Sequence, residues 1–204
     1  PLLARLGDQA KALGVDLLAG FMERDGDMLY LTHSLFRADG ARFDYRKTHL
    51  GENEGRVFAA GDRLRVFPLS CGLLCGLELC VETHFPEITQ TLSLMGAQVV
   101  FAPHAVPGAP EKRRALWQTY IPARAYDNRV YVACCNHADG GRFGGGCCAA
   151  DPRGGVVAEC YAPQPALTVF DADPALINSF RSGSGDIRLR YYPARRRPEL
   201  YTLP

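Results

Sequence analysis

At 204 residues, with 47% hydrophobic and 22% charged side chains, the chain can bury a large core, and we predict a single domain over residues 1–204. A net charge of +1 creates no strong electrostatic field, which argues against nucleic acid or an anionic membrane as a partner. No apolar run is long enough to span a bilayer and no secretory signal is visible. We therefore expect a cytoplasmic protein.

The eight cysteines could form disulfides, bind a metal or serve as thiols, and their spacing helps to separate these uses. The sequence contains neither a CxxC nor an HxxxH spacing, so we expect no metal and no cofactor. Disulfides are disfavoured because the chain has enough apolar residues for a core and shows no signal peptide. Most of the thiols are expected to be small core residues.

The first half of the chain begins with a helical pattern and continues with strand-like ones. Apolar residues at helical spacing predict a helix over residues 1–13 that ends at Gly14. A glycine-rich stretch over residues 51–62 shows no periodicity and is expected to be a loop. The predicted strands of this half span residues 15–23, 28–36, 43–50, 64–69 and 71–80.

The second half alternates between helices and strands. The predicted helices span residues 86–96, 110–128 and 174–183, with Pro122 as a candidate break in the second. The predicted strands span residues 97–103, 129–136 and 166–173, with a hairpin over 146–160. Because strands and helices are interleaved, we predict an α/β or α+β protein with layered sheets.

Two strand ends carry side chains suited to chemistry, Lys47 in "YRKTHL" and Cys80 in "GLELCVETHFPE". A thiol where a strand meets a turn lies at the edge of a sheet, where N–H groups of the turn can bind an oxyanion. A thiol with an ordinary pKa near ~8.5 is mostly protonated at neutral pH and needs a neighbouring cation or base, for which Lys47 is the obvious cation. The alternative is a packed Cys80 and a solvated Lys47.

Six segments, in order, resemble successive motifs of the nitrilase (carbon–nitrogen hydrolase) superfamily. They are "FDYRKTHL", "ENEGRVFAAGD", "GLELCVETHFPE", "ARAYDNRVYVACCN", "FGGGCCAADPRGGVVAE" and "RRRPELY". The resemblance covers essentially the whole chain. The resemblance implies a four-layer α-β-β-α sandwich that assembles as a homodimer or higher homo-oligomer. It also implies hydrolysis of a non-peptide carbon–nitrogen bond in a small amide or nitrile. We expect an amide, with release of ammonia or an amine through a cysteine thioester.

The resemblance assigns roles to the residues that match the family's motifs. Cys80 matches the nucleophile, and Lys47 matches the lysine that would neutralise the oxyanion with help from the backbone N–H of Val81. Glu54 matches the second glutamate, which would orient Lys47 or a leaving amine; the alternative is an ordinary loop carboxylate. Glu82 keeps the carboxylate that the family commonly has as an aspartate two residues after the cysteine.

Two aromatic side chains are candidates for the acyl pocket. His104 and Trp117 lie in the segment that would line it in the family, although Trp117 is equally compatible with the core. The basic residues at positions 112–114 begin the helix predicted there. They favour a solvated face over a clamp for a substrate carboxylate.

One residue implied by the resemblance has no match. The family's first glutamate, the general base, lies before the helix that begins at Pro1, so we expect an N-terminally incomplete domain. Neither Glu23 nor Glu87 occupies the position of that base. Two alternatives to a thiol amidohydrolase stay open: a weakly active or inactive relative that acts as a binding or interaction protein, and a Cys–His hydrolase with His84 or His104 as base.

Overall fold

The computed structural model describes residues 2–182 and 190–201, whose strands form two sheets. The first sheet is antiparallel and holds β1 (Leu17–Asp25), β2 (Met28–Phe36) and β3 (Arg42–Arg46) in chain order. The second sheet holds, in spatial order, β4 (Val66–Pro68), β5 (Leu74–Leu77), β6 (Val99–His104), β7 (Tyr131–Asn136), β8 (Cys147–Ala150) and β9 (Val156–Cys160). Its central pairs, β5 with β6 and β6 with β7, are parallel, and the flanking pairs are antiparallel.

The helices begin with proline or follow an amphipathic pattern. They are α1 (Leu2–Leu13), α2 (Pro86–Leu94), α3 (Pro110–Asn128) and α4 (Pro174–Arg181). Proline suits the first turn because its missing N–H has no partner there in any helix. Short 3-10 turns lie at Glu54–Arg56, Cys80–His84, Tyr192–Arg195 and Pro198–Leu200. No helix of the described ranges is both long enough and apolar enough to cross a membrane.

The elements stack in four layers, as the sequence predicts. Helix α1 covers the outer face of the first sheet, with Gly7 against Phe36. The inner faces of the two sheets meet in a cluster of buried side chains that comprises Leu35, Tyr45, Phe67, Cys75, Leu77 and Leu79. Helices α2 and α3 cover the outer face of the second sheet, where Trp117 packs with Val100 and Val132.

Two elements differ from the sequence-based expectation. The strand predicted over residues 166–173 is wrong, because this segment pairs with no neighbouring strand and leaves Leu167 90% and Val169 74% exposed. Pro122 does not break α3, which runs through it without interruption. The carbonyl group that would lose its partner belongs to the exposed Gln118, where water can replace the missing N–H. Gly183, the last residue of the helix predicted over 174–183, lies outside the described residues.

Candidate active site

Cys80 begins the 3-10 turn that follows β5. The predicted strand over residues 71–80 is too long, because the ladder stops soon after Glu78 donates its N–H to the Phe101 carbonyl at 3.0 Å. Cys80 itself has a φ of 58°, in the left-handed region that non-glycine residues rarely adopt. Such a conformation costs about 1–3 kcal/mol and persists only where the surroundings hold it. The cysteine is therefore held in a strained turn at the end of a central strand.

Opposing effects act on the pKa of the Cys80 thiol. Burial raises the pKa of the thiol above its usual value, and the negative charge of Glu54 acts in the same direction. The positive charge of Lys47 and hydrogen bonds from the backbone N–H groups of Ala105 and Val81 lower the pKa but do not cancel the increase. Cys80 is therefore a protonated thiol at neutral pH that must lose its proton before it can attack a substrate.

Lys47 is the first residue after β3, and its side chain is only 3% exposed. Its backbone N–H donates to the Leu31 carbonyl at 2.8 Å, and its carbonyl accepts from the Gly61 N–H at 2.7 Å. These two bonds fix the backbone on both sides. The Nζ atom donates to Glu54 Oε2 at 2.5 Å, so the ammonium group is buried with a carboxylate partner.

Glu54 opens the 3-10 turn in the glycine-rich loop. Its Oε2 atom accepts a second hydrogen bond from the Gly51 N–H at 2.6 Å. The neighbouring Glu52 is 88% exposed and pairs instead with Arg56 at 3.5 Å. Of the two carboxylates in this loop, it is Glu54 that reaches Lys47.

Glu82 is not among the predicted site residues, yet its side chain makes more hydrogen bonds than that of any of the three predicted catalytic residues. Its Oε1 atom accepts from the Tyr45 hydroxyl at 2.8 Å, the Thr48 N–H at 2.7 Å, the Thr48 hydroxyl at 2.6 Å and the His49 N–H at 3.1 Å. Its Oε2 atom accepts from the Leu79 N–H at 2.6 Å. The side chain is fully buried. The family resemblance marks this position as acidic, but the donors come from segments that sequence spacing does not connect.

The two candidates for the acyl pocket lie in the packed layer under α3. His104 is 7% exposed, and its Nδ1 atom lies 2.7 Å from the Ala102 carbonyl. Burial lowers the pKa of His104 to about 4, so the ring is neutral. The Trp117 ring contacts it edge-on at 5.0 Å and has no exposed surface. Trp117 packs with Val100 and Val132 in the core between α3 and the second sheet, which is the alternative that the sequence leaves open for this residue.

The histidines do not provide the geometry of a Cys–His pair. His84 is exposed and its ring lies beside that of Tyr120, with centroids 5.0 Å apart. Within the described ranges no hydrogen bond joins His84 or His104 to the Cys80 sulfur. The alternative of a histidine base therefore has no structural support.

The basic residues that begin α3 differ in exposure, since Arg113 is half-buried and Arg114 is exposed. Arg114 pairs with Glu159 at 2.7 Å, and the Arg113 guanidinium lies 5.7 Å from the centre of the Trp117 ring. Lys112 is exposed. Among the residues that the structure describes, no group of three or more His, Cys, Asp or Glu could hold a metal ion.

A strained cysteine at a strand end, beside a buried lysine that is paired with a glutamate, defines a site of the thiol-hydrolase class on a layered α/β fold. Residues 1–182 match the model of the carbon–nitrogen hydrolase family. The chain belongs to the carbon–nitrogen hydrolase family, within the nitrilase superfamily. The predicted fold class and the predicted kind of enzyme, a thiol-dependent amidohydrolase, are thus confirmed at the level of the family.

Named relatives include both nitrilases and amidases. A nitrilase of Pyrococcus abyssi is 33% identical over 182 residues, which is 86% of this chain and 66% of the relative. An (R)-stereoselective amidase of a Pseudomonas species is 33% identical over 149 residues, or 71% of this chain and 53% of the relative. A solved cysteine-to-alanine variant of the amidase from Nesterenkonia sp. AN1, in complex with butyramide, superposes with a TM-score of 0.79 at 27% identity, covering 97% of this chain and 70% of that one. The matched region spans between about half and about 70% of these relatives.

Proposed function

We propose that the chain hydrolyses the carbon–nitrogen bond of a small carboxylic amide, with Cys80 as nucleophile. One observation carries the proposal: the buried Lys47 ammonium donates to Glu54 at 2.5 Å, and both charges act on the pKa of the Cys80 thiol, although the three residues come from three separate segments. A cation next to a thiol both favours the thiolate and can receive the charge of an oxyanion.

The proposed reaction uses these groups in sequence. The Cys80 thiolate attacks the carbonyl carbon, and the carbonyl oxygen becomes an oxyanion that the Lys47 ammonium and the Val81 N–H stabilise. Collapse of the tetrahedral intermediate breaks the carbon–nitrogen bond, and the nitrogen leaves as ammonia or an amine after taking up a proton. Water then attacks the thioester, releases the carboxylic acid and restores the thiol. Glu54 orients Lys47 throughout.

The proton on the thiol requires a base, because burial raises the pKa of Cys80. No carboxylate among the described residues hydrogen-bonds to the sulfur, and Glu54 is engaged by Lys47 and Gly51. We therefore assign Glu54 to orientation and assign the general base to none of the residues that the structure describes. General acid–base assistance is typically worth ~100- to 10,000-fold, so the rate depends strongly on how this proton is removed.

An amide is proposed over a nitrile because two of the named relatives are amidases and one of them was solved with butyramide. A nitrile remains the second candidate, since the relative from Pyrococcus abyssi is named a nitrilase. The same thiolate would attack a nitrile carbon to give a thioimidate, so product analysis separates the two.

We also propose that the chain forms a homo-oligomer, as the resemblance implies, and that it lies in the cytoplasm, as we expect from the sequence. Apolar side chains on the helical layer support this assembly: Leu94 is 43%, Met95 44% and Leu116 43% exposed. Apolar surface of this kind is commonly covered by a partner subunit. Sedimentation velocity of the purified chain tests it, with a monomer at all concentrations as the contrary result.

The test of the proposed activity is ammonia release from butyramide. We expect turnover by the unaltered chain, loss of turnover in Cys80→Ser, and retention in the matched control Cys71→Ser, which changes an exposed cysteine. Iodoacetamide should label Cys80 and abolish turnover in parallel. Turnover that survives Cys80→Ser contradicts the mechanism, and absence of turnover on every short amide and nitrile favours a binding or interaction protein.

A further inference from the structure

We propose that Glu82 is a positioning residue, which holds the Lys47 ammonium and the Cys80 thiol in their reactive arrangement. This inference rests on the proposed function, in which those two groups act on one substrate. Glu82 touches neither the substrate nor the reacting atoms.

The contacts of Glu82 show what it binds. It is fully buried, and its five hydrogen bonds all come from N–H and O–H donors. Among the described residues, the basic side chain within 4.0 Å of its carboxylate is the exposed His49, whose Nδ1 atom lies 4.0 Å from Oε1. Fixed donors around a carboxylate make strong hydrogen bonds and set its position closely.

The two carboxylate oxygens bind different segments of the chain. Oε1 binds the residues that follow Lys47, namely Thr48 and His49, and Oε2 binds Leu79, the residue before Cys80. One side chain thus joins the end of β3 in the first sheet to the turn after β5 in the second. Each of the two proposed reacting groups lies one residue away from an N–H group that Glu82 fixes.

The turn needs this support because Cys80 occupies the left-handed region of φ. Without the bond to the Leu79 N–H, the turn can relax towards an ordinary conformation and move the sulfur away from Lys47. Displacement of a reacting group by about 1 Å can cost about 100-fold in rate.

The test compares Glu82→Gln with Glu82→Asp, and with Glu87→Gln as the matched control, since Glu87 is an exposed carboxylate in the same segment. We expect Glu82→Gln to lower kcat for butyramide by about 100-fold with little change in KM, because an amide nitrogen replaces one acceptor. Glu82→Asp should recover part of the loss, and Glu87→Gln should lie within about twofold of the unaltered chain.

A second readout does not depend on turnover. The rate of Cys80 alkylation by iodoacetamide, followed against pH, should shift to higher pH in Glu82→Gln because Lys47 no longer faces the sulfur. If the unaltered chain hydrolyses nothing, the proposed function fails while this profile still tests Glu82. A Glu82→Gln profile that coincides with that of the unaltered chain overturns the inference. If that variant does not fold, Tyr45→Phe, which removes one donor, is measured in the same way.

A second inference comes from a different observation, a row of three thiols across neighbouring strands. Cys135 of β7 lies directly opposite Cys147 of β8, which in turn lies opposite Cys160 of β9. All three are free thiols. Cys135 and Cys147 line the apolar cavity between the two sheets. Side chains directly opposite each other on antiparallel strands share one face of the sheet.

The register makes Cys135 and Cys147 the close pair of this row. The Asn136 N–H donates to the Gly146 carbonyl at 2.8 Å, which makes the neighbouring pair of cysteines a non-hydrogen-bonded one. The Cα atoms of such pairs lie about 4.5 Å apart, within the range that a disulfide spans. We infer that these two thiols form a reversible disulfide with a small disulfide oxidant such as oxidised glutathione. The two thiols lose their protons and two electrons, and the oxidant's S–S bond breaks to give two thiols.

Peptide mapping under non-reducing conditions tests the disulfide. After treatment with oxidised glutathione, we expect the peptides that carry residues 135 and 147 to be linked and to separate on reduction. Cys135→Ser should abolish the link, and Cys134→Ala, the matched change on the opposite face, should keep it. A link that persists in Cys135→Ser, a link to Cys160, or only glutathione attached to Cys135 overturns the inference.

Discussion

Glu78 and Glu82 lie two residues on either side of Cys80, and both are fully buried. Glu82 faces the inner layer and accepts five hydrogen bonds. Glu78 faces α2 and α3, where neither of its carboxyl oxygens has a well-aligned hydrogen-bond donor in the described structure, although the Thr89 hydroxyl lies close enough to lower the pKa of the carboxyl group. Burial raises the pKa of Glu78 to about 8, and the charge of Glu82 adds to the increase. The same residue type thus lies in two different environments on the two sides of one strand end.

The difference shows that burial alone does not make a carboxylate functional. A buried charge is tolerated where donors surround it, and a buried group without donors keeps its proton instead. Glu82 is held by groups that lie next to Lys47 and Cys80. The Thr89 hydroxyl and the Arg124 charge lower the pKa of Glu78 but do not offset the effect of burial. We therefore expect changes on the Glu82 side to alter both activity and stability, and changes on the Glu78 side to alter stability alone.

The largest expected effect is on the rate of hydrolysis. It distinguishes Lys47, on the Glu82 side of the strand end, from Arg124, on the Glu78 side. Lys47→Ala should lower butyramide hydrolysis by about 1,000-fold, because the oxyanion loses its charged partner. Arg124→Ala, the matched removal of the cation near Glu78, should leave kcat within about threefold, since its charge acts on Glu78 whereas those of Lys47 and Glu54 act on the Cys80 thiol. Initial rates of ammonia release measure both. Equal losses in the two variants would contradict the division of roles.

The second effect is on stability. Glu82→Ala should lower the free energy of unfolding by about 3 kcal/mol, because it leaves buried N–H and O–H donors without an acceptor. Glu87→Ala should change it by about 0.5 kcal/mol or less, since that side chain is exposed. Urea denaturation followed by circular dichroism gives both values. A Glu82→Ala variant as stable as the control would mean that water replaces the lost acceptor.

Sequence patterns predict the three proposed catalytic residues better than they predict the role of Glu82. The segments that carry Lys47, Glu54 and Cys80 each resemble a family motif, so the identities of these residues could be predicted from short stretches. Glu82 was noted only as a matching carboxylate, because its donors at Tyr45, Thr48 and His49 are brought to it by the meeting of two sheets. No local pattern contains that information.

For the fold as well, local sequence patterns predict the elements but not their pairing or packing. Helices and paired strands follow local periodicity and were predicted closely, apart from their ends. The segment 166–173 has the alternation of a strand but pairs with none in the described structure, since a strand also requires a neighbour. Trp117 could not be assigned to pocket or core because an aromatic residue on a helix suits both, and only the packing of α3 on the second sheet decides.

The third prediction concerns the pH dependence of stability. Because the pKa of Glu78 is raised to about 8 in the folded state, the folded chain holds a proton that the unfolded chain releases near pH 4.5. This contribution to stability is complete below the unfolded pKa and is lost as pH rises towards the folded pKa. In Glu78→Gln the loss disappears, so the variant should gain stability relative to the unaltered chain between pH 5 and about 8. Thermal unfolding across this range measures the difference, and parallel curves would show that Glu78 is not the group responsible.

The smallest expected effect isolates the charge of Glu54 from its role in orienting Lys47. The negative charge of Glu54 raises the pKa of the Cys80 thiol, so Glu54→Gln should lower that pKa and increase the rate of alkylation at neutral pH by a few-fold. The same variant should hydrolyse butyramide more slowly, because Lys47 loses the ionic partner that holds its ammonium group. Glu52→Gln, which changes the exposed carboxylate of the same loop, serves as the control and should alter neither rate. Faster alkylation together with slower turnover is an outcome that general loosening of the loop does not explain, since Cys80 reactivity and catalysis would then fall together.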